Sequence, residues 1–90
     1  MAICTYFRPS SMNSEQYQDI SRRLEAAGVG APTGRMYHIC FGEGNGLQVF
    51  SVWDSQEAFD AFGQKLMPIF AEVGVVGEPM VEKVENIIVG

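Results

Sequence analysis

The chain has 90 residues, of which 47% are hydrophobic, and its formal net charge is -5. This length predicts a single domain over residues 1–90, and the negative charge argues against binding to a nucleic-acid backbone or an anionic membrane. The sequence contains neither a run of about 18 apolar residues nor a signal peptide, so we expect a cytoplasmic protein without a membrane span.

The first half of the chain predicts a strand, a helix and a second strand. Residues 2–8 have the β-branched and aromatic alternation of a strand. Asn13 is a favourable N-cap with Gln16 three positions later, so a capping box should begin a helix that extends to about Ala27. The apolar stripe of this helix comprises Met12, Tyr17, Ile20, Leu24 and Ala27. Residues 36–41 form the second predicted strand.

The second half begins with a glycine-rich hairpin loop, residues 42–46, which leads into a third strand that ends at Trp53. A helix follows, with Asp54 predicted as its N-cap and Glu57 reaching back to complete a capping box. Its apolar residues recur every three or four positions, which places them on one face: Phe59, Phe62, Leu66, Ile69 and Val73.

Two features make the end of the chain less regular. Pro68 lies inside the helical pattern and predicts a kink, or a break into two short helices, near residues 66–68. A last strand is predicted over residues 79–89, with imperfect alternation from Val84 to Ile87 that suggests a bulge or a change of partner.

The element order is strand, helix, strand, strand, helix, strand. Right-handed crossovers make this an α+β, ferredoxin-like domain with a four-stranded antiparallel sheet and both helices on one face. The expected strand order is fourth, first, third, second. Cys4 and Cys40 would then be separated by the third strand, about 10 Å apart, which is too far for a disulfide.

Apolar residues occupy both alternating sets of positions in the first three strands, so both faces of the sheet should be covered. One set comprises Ile3, Phe7, Tyr37, Ile39, Phe41 and Val49, and the other Cys4, Tyr6, Met36, Cys40, Phe50 and Val52. The helices cover one face. A second copy of the chain is the simplest cover for the other, which predicts a homodimer formed by sheet-on-sheet packing.

The segment VFSVWDSQEAFDAF resembles the strand-to-helix signature of the dimeric α+β barrel superfamily. The segments NSEQY, HICFGEGNG and EPMVEKVENIIVG also resemble small members near the antibiotic-biosynthesis-monooxygenase group. The resemblance implies a dimeric α+β barrel with a pocket between helices and sheet. It also implies that Trp53 lines this pocket. Many monooxygenase-like members have a histidine nine residues after that tryptophan, but this chain has Phe62 there, which argues against haem chemistry.

His38 is the only histidine, and its side chain is the only one with an ordinary pKa near 7, so it is the candidate catalytic acid or base. Trp53, Tyr6, Tyr37 and Phe62 are the candidate substrate-binding residues, since aromatic walls suit an aromatic ligand. Each could instead be an ordinary core or surface residue. No metal-ligand spacing is present, and we expect no cofactor.

Two functions remain open. One is a small cofactor-independent enzyme, monooxygenase-like or isomerase-like, acting on a small aromatic or carbonyl compound. The alternative is a non-catalytic small-ligand-binding or accessory protein. A pocket of a few hundred Å³ with His38 pointing into it would favour the enzyme, and a packed interior would favour the alternative. An RNA-recognition domain is disfavoured by the charge and by the third strand, GLQVFSVW.

Overall fold

The computed structural model describes residues 1–90, and its elements follow the predicted order. Strand β1 pairs antiparallel with β3 and β4, and β2 pairs antiparallel with β3, so the sheet order is β2-β3-β1-β4. The ferredoxin-like fold and its strand order are therefore confirmed. The bounds are β1 (Ile3–Phe7), α1 (Ser14–Ala26), β2 (Arg35–Phe41), β3 (Gln48–Trp53), α2 (Gln56–Val73) and β4 (Met80–Lys83).

The first residues of both helices are held by side-chain caps. At α1 the predicted capping box is present, with Asn13 and Gln16 each accepting from the other's backbone N–H at 2.9 Å. At α2 the predicted cap was wrong by one residue, because Ser55 rather than Asp54 accepts from the N–H of Ala58. The backbone N–H of Asp54 donates to the carbonyl of Gly34 at 2.8 Å, which holds Asp54 at the end of the strand.

Helix α2 continues without interruption past Pro68, so the predicted break is wrong. The proline removes one backbone hydrogen bond, to the carbonyl of Gln64, which belongs to an exposed residue. Buried side chains on both sides of the proline, Phe62 and Ile69, hold the helix against the core. The helix ends at Gly74, whose φ of 83° is the left-handed conformation that glycine adopts readily.

The last strand is shorter than predicted, because β4 stops at Lys83. Lys83 pairs with Ile3, the first residue of β1, so β1 offers no further ladder partner. One more backbone bond, from Val84 to Ala2 at 3.0 Å, follows the strand. Residues 84–89 instead border a groove on the sheet face that lies opposite the helices.

The core lies between the helices and the sheet, and its buried residues are Ile3, Phe7, Met12, Ile20, Leu24, Trp53, Phe62, Ile69, Phe70 and Val75. The other sheet face is apolar and exposed, as Ile39 (53% exposed) illustrates. Our grouping of β2 was wrong, since Ile39 pairs with Phe50 and Cys40 pairs with Val49. The odd-numbered residues of β2 therefore share the face of Phe50.

The register shift between Arg35 and Tyr37 accounts for this difference, because one extra residue in β2 reverses which side chains face the helices. Cys4 and Cys40 are both free and lie on strands separated by β3, as expected. Neither helix is long and apolar enough to cross a bilayer.

Candidate functional site

A cavity of about 200 Å³ lies between the two helices and the helix-facing side of the sheet. Most of its wall is apolar and comes from the core residues. Eight side chains with polar atoms interrupt this wall: Thr5, Tyr17, Ser21, Glu25, Arg35, His38, Ser51 and Trp53. An apolar cavity with a few polar groups is the usual form of a small-molecule site.

Three of these side chains form a hydrogen-bonded chain. The Tyr17 hydroxyl lies 2.7 Å from His38 Nε2, and His38 Nδ1 lies 2.9 Å from the Ser51 hydroxyl. The register opposes His38 to Ser51 on adjacent strands, which brings the last two together, and Tyr17 reaches the ring from α1. Ser51 is buried, whereas His38 is exposed on the edge strand, so the chain connects the cavity interior with its rim.

The surroundings of the Tyr17–His38–Ser51 hydrogen-bond chain determine which of its groups are protonated. Partial burial of the ring, with the nearby positive charge of Arg35, lowers the pKa of His38 below its ordinary value. Burial raises the pKa of the Tyr17 hydroxyl, and Cys40 adds to that effect. At neutral pH the imidazole is therefore neutral and the phenol protonated. A neutral ring carries one N–H, so it donates in one of its two contacts and accepts in the other.

Trp53 is the largest fully buried side chain and is only 1% exposed. Its ring packs against Phe59 and Phe62, with centroids 5.6 Å and 5.2 Å away. Its indole Nε1–H has no hydrogen-bond partner and is the only buried side-chain polar atom in the chain without one. A buried donor without an acceptor costs about 1–3 kcal/mol, and such groups are rare in native proteins.

Arg35 is the cation of the cavity. It pairs in register with Trp53, and its guanidinium lies 6.0 Å from the centroid of the Phe62 ring. One of its N–H groups donates to the carbonyl of Gly30 at 3.3 Å. It makes no ion pair, in contrast to the two arginines of α1. Burial lowers the pKa of Arg35, although the group stays charged at neutral pH.

The structure brings together three of the five residues singled out from the sequence, since His38, Trp53 and Phe62 all line the cavity. Tyr6 and Tyr37 are on the opposite sheet face. The Tyr6 hydroxyl donates to the side chain of Gln48, and Tyr37 lines the groove beside residues 84–89. The polar residues of the cavity wall that sequence reasoning missed include Tyr17, Arg35 and Ser51.

The missed residues gave little signal in the sequence. Tyr17 belongs to the apolar stripe of α1, a pattern that is typical of residues packed against a core. Arg35 precedes the predicted second strand, and only the strand pairing shows that it stands opposite Trp53. No group of three or more His, Cys, Asp or Glu side chains is placed to hold a metal ion.

Comparison with solved structures finds the same fold elsewhere. SnoaB, a cofactor-independent oxygenase from Streptomyces nogalater, is 16% identical, with a TM-score of 0.62 over 97% of this chain and 94% of that one. A candidate antibiotic biosynthesis monooxygenase from Chloroflexus aurantiacus J-10-fl is 12% identical, with a TM-score of 0.64 over the whole of both chains. A conserved protein from Methanosarcina mazei Go1 is 13% identical, with a TM-score of 0.65 over 92% of each chain.

No protein-family model and no curated protein sequence matches the chain. The structural similarities, all at low identity, show the fold. The chain has a ferredoxin-like fold, and one of the structures similar to it is the candidate antibiotic biosynthesis monooxygenase.

Proposed function

We propose that this protein is a small enzyme, monooxygenase-like or isomerase-like, that binds a small aromatic or carbonyl compound in the cavity between helices and sheet. The observation that carries the proposal is the unpartnered indole N–H of Trp53 on the wall of an apolar cavity of about 200 Å³. An oxygen atom of a bound ligand would accept that hydrogen bond. The aromatic rings of Phe59 and Phe62 would pack against the ligand's apolar part.

The acid/base group is His38, and its hydrogen bonds define how it would act. Both ring nitrogens are occupied, one by Tyr17 and one by Ser51, so the imidazole has no free nitrogen to present to a ligand. Both hydroxyls line the cavity. A proton taken from a ligand would therefore pass through one hydroxyl to His38, or the ligand would displace that hydroxyl. The neutral imidazole at pH 7 is in the form that accepts a proton.

Monooxygenase-like and isomerase-like reactions without a cofactor can share a first step, the removal of a proton from carbon beside a carbonyl group. In an isomerase-like reaction the proton returns to another carbon. In a monooxygenase-like reaction the electron-rich anion would react directly with O₂, and SnoaB, which has a similar fold, is a cofactor-independent oxygenase.

The exposed sheet face supports a homodimer as the functional form. Large apolar side chains on that face lie open to water: Tyr37 (42% exposed), Ile39 (53%), Phe41 (41%) and Met80 (60%). A second copy packed on this face would bury them, and a contiguous apolar patch of this kind marks an interaction surface in soluble proteins. The cavity is on the other side of the sheet, so both copies would keep an accessible site.

Proton exchange tests the enzyme proposal. Anthrone, whose methylene ionises readily, is incubated with the protein in D₂O, and loss of the methylene signal is followed by NMR while an electrode follows O₂. Exchange above the buffer rate with O₂ uptake supports a monooxygenase-like reaction, and exchange without uptake supports an isomerase-like one. His38→Gln should reduce the exchange rate. Arg22→Gln, an exposed change outside the cavity, serves as the matched control.

The second candidate is a non-catalytic ligand-binding or accessory protein. The exposed position of His38 on the edge strand is the observation that favours it, because a solvent-facing imidazole often has no catalytic task. Binding of aromatic compounds with no proton exchange across a panel of ketones would select this alternative.

A further inference from the structure

The cavity has a charged end that the proposed function does not explain. Arg35 and Trp53 face each other across the β2–β3 pairing, and both lie against the ring of Phe62. The guanidinium of Arg35 has five N–H groups, and a single carbonyl of the protein, that of Gly30, accepts from them. The neighbouring Trp53 N–H has no acceptor at all. Donors without an acceptor in the protein therefore lie on both of these neighbouring side chains, at one end of an apolar cavity.

No carboxylate of the chain satisfies them. The other charged residue of the cavity wall is Glu25, which is exposed and makes no ion pair with Arg35. The two arginines of α1 have acidic partners, since Arg22 contacts Asp19 and Arg23 contacts both Asp19 and Glu72. Arg35 is half-buried and has no acidic partner, and the buried N–H of Trp53 beside it has no acceptor. Such an arrangement is suited to binding an anion from outside the protein.

We propose that Arg35 and Trp53 bind the carboxylate of the ligand, so that the compounds this cavity takes are small aromatic carboxylic acids. The planar guanidinium can donate two parallel hydrogen bonds to the two oxygens of a carboxylate, which a neutral carbonyl cannot accept in the same way. The Trp53 N–H would donate to one of these oxygens. This proposal rests on the proposed ligand cavity and adds the class of ligand.

Binding of the carboxylate at Arg35 would also orient the ligand relative to the hydrogen-bonded side chains of Tyr17, His38 and Ser51. Ser51 precedes Trp53 by two positions on β3, so their side chains share the helix-facing side and are about 7 Å apart along the strand. A carboxylate held at Arg35 would therefore place the far side of a single aromatic ring beside Ser51 and His38. The carboxylate end fixes the orientation, and the reacting carbon lies at the other end.

The experiment compares isosteric pairs of probes: benzoate with benzamide, and 2-naphthoate with 2-naphthamide. Binding is followed through the fluorescence of Trp53, the only tryptophan, and checked by calorimetry. Wild-type protein should bind each acid about ten-fold more tightly than its amide, since a charged hydrogen-bonded pair contributes more than a neutral one. Arg35→Met keeps the packing over Phe62 and should reduce the ratio to about one. Arg22→Gln removes the same charge from the exposed face of α1 and should leave the ratio unchanged.

Arg35→Lys is a second variant in case Arg35→Met does not fold. It keeps the positive charge and the aliphatic stem but loses the planar guanidinium that donates two parallel hydrogen bonds. It should keep part of the preference. Equal binding of acids and amides by the wild type, or an unchanged preference in Arg35→Met, overturns the carboxylate assignment and leaves the ligand cavity standing. Binding of neither acids nor amides up to about 10 mM overturns the cavity itself as a ligand site, and the proposed function with it.

Discussion

Replacing Trp53 by Phe tests whether the buried indole N–H is free in the ligand-free protein. The change removes roughly 40 Å² of apolar surface, worth about 1 kcal/mol, and leaves about 40 Å³ of new empty space, worth about 1 kcal/mol more. It also removes a buried donor that has no acceptor, which returns about 1–3 kcal/mol. The two contributions offset each other, so the free energy of unfolding should change by less than about 1 kcal/mol.

The assay is urea unfolding followed by far-UV circular dichroism, since this variant has no tryptophan fluorescence. Phe70→Leu is the matched control, because it shrinks another buried ring of the same cavity wall without removing a polar atom. That control should lose about 1 kcal/mol or more. A loss of about 3 kcal/mol or more in Trp53→Phe would mean that the indole N–H is already satisfied in solution, and the argument from a vacant donor would fail.

Three further predictions concern His38, the hydrophobic core and the exposed face of the sheet. Because folding lowers the pKa of His38, the unfolded chain binds its proton more readily, so the free energy of unfolding should fall as the pH drops below about 6.5. Urea titrations of His38→Gln at several pH values should show a shallower dependence, and an unchanged one would contradict this assignment. Phe62→Ala should destabilise the fold by about 3 kcal/mol in the same assay, because the ring is buried against Trp53; a loss below about 1 kcal/mol would mean that the ring packs poorly. Ile39→Asp should give a folded monomer by light scattering at concentrations where the wild type is a dimer, and a persisting dimer would exclude this face as the interface.

Local chemistry was sufficient to predict most of the elements. The capping box at Asn13 fixed the start of α1, and the strand-to-helix switch after Trp53 fixed the order from which the topology follows. Errors arose where two local signals competed. Asp54 and Ser55 are both good caps, and a backbone bond from Asp54 to Gly34 decided between them. The predicted last strand had apolar residues enough to continue, but its partner β1 had ended.

The candidate site was less accessible from the sequence because it depends on strand register. The shift after Arg35 turns His38 towards the cavity and Tyr37 away from it, and no residue type in the segment RMYHICF signals the shift. The apolar stripe of α1 likewise gave no indication that the hydroxyl of Tyr17 meets an imidazole. Of the five candidates chosen by residue type, three line the cavity. The hydrogen-bond partners of His38 could be identified only from the three-dimensional arrangement.

The polar groups of the cavity come from α1 and from strands β1, β2 and β3, while α2 contributes only apolar side chains and Gly63 to its wall. In the proposed site, α2 would therefore limit the size of the ligand, while the other elements would supply the groups that react with it. Gly63 is the sharpest test, because a Cβ added there meets no atom within 4 Å. Gly63→Ala should stabilise the helix by about 1 kcal/mol through helix propensity alone, and the same methyl group should narrow the cavity.

Ala61→Gly supplies the matched comparison, since it makes the reverse exchange at an exposed position of α2 that is not part of the cavity wall. Gly63→Ala should gain about as much stability as Ala61→Gly loses, and it should weaken binding of 2-naphthoate more than that of benzoate. A gain in stability with equal affinity for both probes would show that the ligand does not reach this wall. A loss of stability would show that the space beside Gly63 is occupied in solution. A glycine retained in mid-helix at a cost in stability is expected where the space it leaves serves binding, and the two measurements together decide whether that is its role here.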